Sequence, residues 1–252
     1  MKKLLLLVTL LVYFNSSAQI LKDCSKCASI TYSDSDIINN KLYEIELLRN
    51  EIFARHNYIF KNQRLEAYYS EYDWYKPNYK TPINKINLNA IEQHNIDLFK
   101  THEAKIITNR QLLINELEKF KLALKENDSA FIKSTFNGVI KNTDENFYSD
   151  LVNIMDNILN TVVLKNIYWH KGKAQYELLI DDGFSISSKG LYINGNTVTI
   201  MHTEPMTHSS LMDNNDAFQY PSAYYSESES TSGAKFEFKN GKLILIQLIF
   251  AG

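Results

Sequence analysis

An excess of basic charge is the first thing this sequence lacks. Lys and Arg number 27 against 29 Asp and Glu, a formal net charge of −2. With no surplus of cations to neutralise phosphates, nucleic-acid binding is not expected. Long hydrophobic runs are missing too. The one membrane-like run, Leu4 to Phe14, has 11 residues, well short of the ~20 that a spanning helix needs. Two cysteines in all leave no second pair for a four-ligand zinc site. There is no phosphate-cradling glycine-rich loop, no G-x-S-x-G and no H-E-x-x-H, so no cofactor is indicated and the familiar hydrolase motifs are excluded. The remainder is ordinary. At 252 residues with 44% apolar and 22% charged side chains, the chain is neither wholly disordered nor fibrous, and it has room for one large domain or two small ones.

What is present begins with an address. Lys2 and Lys3, the apolar run, and the small polar tail Asn15-Ser16-Ser17-Ala18 have the order of a secretory signal peptide. Ser16 and Ala18 match the spacing of a peptidase site. Cleavage after Ala18 leaves Gln19 as the new terminus, a cut after Gln19 being the neighbouring alternative. An uncleaved anchor is disfavoured by the short run, and a lipid anchor by the distance to Cys24. The expected mature chain is exported, periplasmic or extracellular, without a membrane span. Export bears on Cys24 and Cys27, a C-x-x-C in a polar segment. A local disulfide suits an oxidising compartment. A redox pair would need a strand–helix context that is missing here, and metal binding or free thiols are the other readings.

Near residue 160 the chain changes character. Before it, apolar residues recur at helical spacing; after it, they alternate and turn signals multiply. Helices are expected from about Asp36 to Asn57, Gln63 to Tyr72, Asn87 to His102, Arg110 to Glu126 and Phe147 to Leu159. Strands are expected over Val162–His170, Lys173–Asp181, Leu191–Asn194, Thr197–Thr203, Phe218–Tyr225, Lys235–Lys239 and Lys242–Phe250. Asn194-Gly195 and Asn240-Gly241 are strong hairpin signals. The class is α+β: a small helical N-terminal module, then further helices and an antiparallel β-sheet domain. The boundaries are a signal peptide at 1–19, a polar segment at 20–35, a helical domain at 36–103, a helical connector at 104–160 and a β-rich domain at 161–252, packed with the preceding helices.

Arginine is scarce, four against 23 lysines, so each arginine marks a place where an ammonium does not serve. Arg49, Arg55 and Arg64 fall within sixteen residues, and guanidinium offers a planar donor fork that Lys cannot copy. Glu51 precedes Arg55 by four residues, the favoured order for a helical ion pair. Phe53 to Tyr79 holds nine aromatics in 27 residues, against 12% overall.

The stretch Leu48-Arg49-Asn50-Glu51-Ile52-Phe53-Ala54-Arg55-His56-Asn57-Tyr58-Ile59-Phe60 resembles the core motif of the YARHG domain family. Trp74-Tyr75-Lys76-Pro77 and Asn95-Ile96 resemble its later landmarks. The resemblance covers about residues 40 to 103. Phe53 stands for the motif's Tyr, so that hydroxyl is not essential here. Asn57 stands for its Gly and keeps a residue able to adopt positive φ. The resemblance implies an extracellular or envelope domain and brings no reaction with it.

The candidate motif residues are therefore Arg49, Glu51, Arg55, His56, Trp74 and Tyr75. The structural reading has Glu51 and Arg55 tying the helix to the Trp74 corner, with His56 capping backbone groups. The functional alternative is an acid–base pair or anion clamp, and the aromatics could stack on sugar rings. His202, Glu204 and His208 look like a metal set, but Pro205 intervenes and no motif supports them. Glu227 and Glu229 read as a solvated loop. The resulting expectation is an exported, non-enzymatic envelope protein that binds or scaffolds, with an envelope protein or glycan as partner. The alternative is an envelope hydrolase using His56 or the His202/Glu204/His208 group.

Overall fold

The computed structural model describes residues 20–80, 86–136, 145–209, 211 and 230–252. The expected signal peptide, the expected strand Phe218–Tyr225, Glu227, Glu229 and the side chain of His208 lie outside the described parts. The described residues form helices and one antiparallel six-stranded sheet, an α+β fold. They divide into two compact units, the first ending at Ala104 and the second spanning Lys105–Gly252. Among them no helix is both long and apolar enough to cross a membrane.

In the first unit, α1 (Asp34–Ile37) and α2 (Leu42–Arg55) stand where the periodicity suggested one helix. The break falls at Asn40, whose side chain accepts from the Leu21 N–H at 3.1 Å and donates to the Leu21 carbonyl at 2.8 Å. A buried amide that satisfies a distant backbone in both directions competes with helix propagation. At its other end, α2 stops at Asn57, which takes φ 57°. The Asn57 N–H donates to the Ala54 carbonyl and the Tyr58 N–H to that of Phe53, while the Phe53 and Tyr58 rings meet at 6.2 Å. This is a Schellman closure with its hydrophobic contact. Helix α3 (Gln63–Ser70) follows, capped by Asn62.

Helix α4 (Ala90–Glu126) is one continuous helix of 37 residues, not the two expected. Neither Gly nor Pro breaks the run between His102 and Arg110. Its start carries a capping box: the Glu92 N–H donates to Asn89 Oδ1 and the Asn89 N–H to Glu92 Oε2, at 2.9 and 2.8 Å.

In the second unit, α5 (Ser129–Thr135) is a helix the periodicity did not reveal, capped by Asp128 on the N–H groups of Ala130 and Phe131. Helix α6 (Glu145–Leu159) lies across the sheet. The strands are β1 (Trp169–His170), β2 (Lys173–Asp181), β3 (Ser185–Asn194), β4 (Thr197–His208), β5 (Ser230–Lys239) and β6 (Lys242–Ala251), paired in chain order. Asn240-Gly241, both at positive φ, form the tight β5–β6 turn. The expected strand Val162–His170 shrinks to β1. Val162 and Leu164 are buried in the core, and the Val162 carbonyl accepts from Lys121 Nζ at 2.8 Å rather than from a neighbouring strand. Strand β3 starts earlier than the alternation suggested, at Ser185, and runs through Gly190, where the Tyr192 ring lies over the missing side chain. Phe120, between Phe136 and Phe236, centres a core shared with Met155, Leu191, Ile200 and Leu245.

Candidate functional site

The motif residues converge in the first unit on the end of α2. Arg55 donates Nε and Nη2 to one oxygen of Glu51, at 2.9 and 2.5 Å. Its guanidinium carbon sits 4.5 Å from the Trp74 ring centroid, an attraction of about 1 kcal/mol at a half-exposed site. The second Glu51 oxygen is occupied by the Cys24 backbone N–H at 2.9 Å. One carboxylate thus fastens the N-terminal segment on one side and, through Arg55, the Trp74 corner on the other. The pairing is not fork to fork: both guanidinium donors share Oε1. Side-chain exposure is 32% for Arg55 and 11% for Glu51, intermediate between a surface pair and a buried one.

Among the described residues the partner of the His56 side chain is a carboxylate, not the backbone. The ring Nε2 lies 2.8 Å from Oε1 of Glu92, the buried carboxylate whose other oxygen closes the α4 capping box. The imidazole therefore joins the C-terminal end of α2 to the N-terminal end of α4. Arg49 reaches Glu103 at 2.9 Å, and Arg64 places Nη2 2.8 Å from both oxygens of Glu46. Arg110, in the second unit, lies 4.5 Å over the Trp169 ring. Each of the four arginines meets a carboxylate or an aromatic ring, Arg49 and Arg64 through a single nitrogen.

Cys24 and Cys27 are joined in a disulfide and are 0% and 1% exposed. Asn95, fully buried, holds the loop they form. It donates Nδ2 to the carbonyls of Cys27 and Ile30, at 2.9 and 2.8 Å, and accepts from the Tyr32 N–H at 3.0 Å. Asn89 adds a bond to the Ala28 carbonyl. In the sequence Asn95 follows Leu88 and Ile91 and precedes Leu98 at helical spacing, and is a landmark of the resemblance without a task of its own. An amide among apolar neighbours is itself the signal, since a buried polar group needs partners.

Tyr75 is 5% exposed, and its one hydroxyl proton is shared between Glu66 and the Tyr58 carbonyl, each 2.7 Å away. Tyr79 and the Phe60 N–H also donate to Glu66. Burial pushes the Glu66 carboxyl up, but these donors outweigh it and hold the group below its ordinary value. Burial and the Glu66 partner push Tyr75 far up. Asn57, which replaces the motif's Gly, gains a role by having a side chain: its Oδ1 accepts from the Lys76 N–H at 2.8 Å, beside Pro77. Phe60, Tyr69, Tyr75 and Trp74 pack the interior, whereas Tyr68 and Tyr72 are each 39% exposed and share a hydroxyl–hydroxyl bond at 3.0 Å. Burial and the Tyr72 hydroxyl push Tyr68 up to about 12. An open depression of about 740 Å³ lies beside the disulfide loop, lined by Leu21, Lys22, Asp23, Lys26, Tyr32 and Asp36 among others. Neither Arg55 nor His56 lines it.

In the second unit, His202 Nε2 is 3.3 Å from Glu204. Burial lowers the His202 pKa; Glu204 opposes this and Lys189 adds to it. Among the described residues, no three His, Cys, Asp or Glu side chains converge as a metal set.

Comparison with known proteins bears on the first unit. No curated protein and no solved structure matches the chain. The residues gathered around Glu51, Arg55 and Asn95 are those of a known domain, one found in exported bacterial proteins. Residues 23–104 match the family model of the YARHG domain, and the chain carries that domain there.

Proposed function

We propose that this chain is an exported, non-enzymatic protein of the cell envelope, periplasmic or extracellular, whose YARHG domain binds or scaffolds an envelope protein or glycan. One observation carries this reading. The polar groups of the motif are engaged with one another: Arg55 with Glu51, Glu51 with Cys24, His56 with Glu92, and Asn95 with three backbone groups. The two sulfurs are closed in a disulfide. Acid–base or nucleophilic catalysis asks for a reactive group facing a substrate position. These groups instead fix the domain's shape, and in the same domain the aromatic side chains of Tyr68, Tyr72 and Tyr79 stand open to solvent. Exposed tyrosines offer rigid contact area at low entropic cost. The test is retention of the purified protein on envelope fractions and on purified peptidoglycan, with Tyr68→Ala/Tyr72→Ala alongside. Retention that the double variant weakens supports the reading. Failure to retain any protein, glycan or peptidoglycan contradicts it.

The second reading, an envelope hydrolase, draws on the contact between His202 and Glu204. Metal analysis of the purified protein separates the two. Stoichiometric zinc that is lost in His202→Ala favours the hydrolase.

A further inference from the structure

The sheet of the second unit has two edges that differ in charge. At one, β2 runs past the two-residue β1 and carries Lys173, Glu177 and Asp181. Charges on an edge strand discourage pairing with another chain. At the other, β6 pairs with β5 alone among the described residues, and its ten residues, KLILIQLIFA, hold one charge, Lys242. Two large apolar side chains there stand open, Ile246 at 48% and Phe250 at 53% exposure.

The strand is complementary to itself. Leu243 and Leu245 belong to the core, paired across β5 with Phe238 and Phe236. A bulge at Ile246 then shifts the inward set by one residue. Leu248 and Phe250 take the inward side, paired with Ala234 and Ser232, and the Phe250 ring meets that of Phe147 on α6 at 5.5 Å. Let β6 pair antiparallel with β6 of a second copy, about a two-fold axis between Ile246 and Gln247. Leu245 then faces Leu248, and Leu243 faces Phe250, all on the core side. On the other side Ile244 faces Ile249, and Lys242 faces Ala251. The two bulges coincide at the axis, so every facing pair shares a side and no like charges meet. A bulge on an edge strand normally spoils pairing; here the partner carries the same bulge at the same place.

We propose that β6 is a self-association edge, through which two copies of this chain join their sheets by an isologous interface. The occupant is a second copy because the match of faces, bulge and charge is internal to this one strand. Pairing supplies partners for the outward backbone groups of β6 and covers Ile246 and Phe250.

Sedimentation equilibrium of the purified full chain, from nanomolar to high micromolar concentration, tests this. The wild type is expected to reach twice the monomer mass. Ile246→Lys places like charges beside the axis and is expected to raise the dimer dissociation constant by about tenfold or more, with unchanged circular dichroism. Gln247→Lys, also at an exposed position, repeats the test if Ile246→Lys does not fold. A wild type that stays monomeric across the range overturns the proposal, as does equally tight dimerisation of the folded lysine variants.

Discussion

Asn95 Nδ2 donates 2.9 Å to the carbonyl of Cys27, across 68 residues of chain. The same amide group bonds the Ile30 carbonyl, and its oxygen accepts from the Tyr32 N–H. One fully buried side chain on α4 thereby fixes the disulfide loop and the strap that follows it.

Asn95→Ala should therefore be costly. It orphans three backbone groups, and about 3 kcal/mol is expected from the desolvation penalty of buried unpaired groups. Asn95→Asp should cost at least as much despite equal size, because it turns an acceptor toward two carbonyls. Urea unfolding of each variant measures both. A change within experimental error in either would mean that the disulfide and the bonds from Glu51 and Asn89 hold the loop without Asn95.

Two glycines in the sheet should respond differently to a methyl group. A Cβ at Gly233 would meet the Ile200 carbonyl oxygen and the Met201 Cα of the facing strand. Backbone cannot give way cheaply, so Gly233→Ala should destabilise by about 3 kcal/mol. At Gly190 the obstruction is the far end of Tyr192, whose hydroxyl donates to Glu177 at 2.9 Å. That ring can swing aside, so Gly190→Ala should cost about 1 kcal/mol. Comparison of denaturation midpoints, with Tyr192→Ala added to Gly190→Ala to relieve the clash, checks the order.

Much of this was legible in the sequence, and the remainder divides by range. The Asn57 cap, the Asn240-Gly241 turn and the Glu51–Arg55 spacing are local, and residues close in sequence meet whatever the fold. His56 with Glu92 and Asn95 with Cys27 are separated by 36 and 68 residues. No spacing rule brings them together, so the sequence suggests backbone groups for His56 where the structure has Glu92, and no partner for Asn95. Two helices, ending near His102 and starting near Arg110, are expected where the single helix α4 stands. The apolar stripe continues through Leu113, Leu117, Phe120 and Leu124, all buried, and packing favours the single helix. The strand expected from Val162 had the alternation but no neighbouring strand for its first residues.

Acidification should weaken the second unit through His202. Burial holds its folded pKa below the ordinary 6.5, so the unfolded chain binds the proton more readily. The sign follows: this contribution is complete above the unfolded pKa and is lost as pH falls from there to the folded pKa. The carboxylates held low, Asp182 and Glu66 among them, act only in the acid range below. Stability measured from pH 7.5 to 5 should decline, and His202→Gln should flatten that decline. An unchanged slope in the variant would assign it to other groups.

The role of Arg55 is tested most directly by melting Arg55→Lys and Glu51→Gln, followed through Trp74 fluorescence in a Trp169→Phe background. If Arg55 is an internal tie, the lysine variant keeps the charge but loses both the paired donors on Glu51 and the stacking on Trp74. The Arg55 side chain is 32% exposed and that of Glu51 11%, so the cost should fall between a surface and a buried pair, about 1–2 kcal/mol, or several degrees in Tm. A similar fall is expected for Glu51→Gln, with envelope retention preserved at temperatures where both variants stay folded. Unchanged melting combined with lost retention in Arg55→Lys would contradict the tie and make Arg55 a recognition residue.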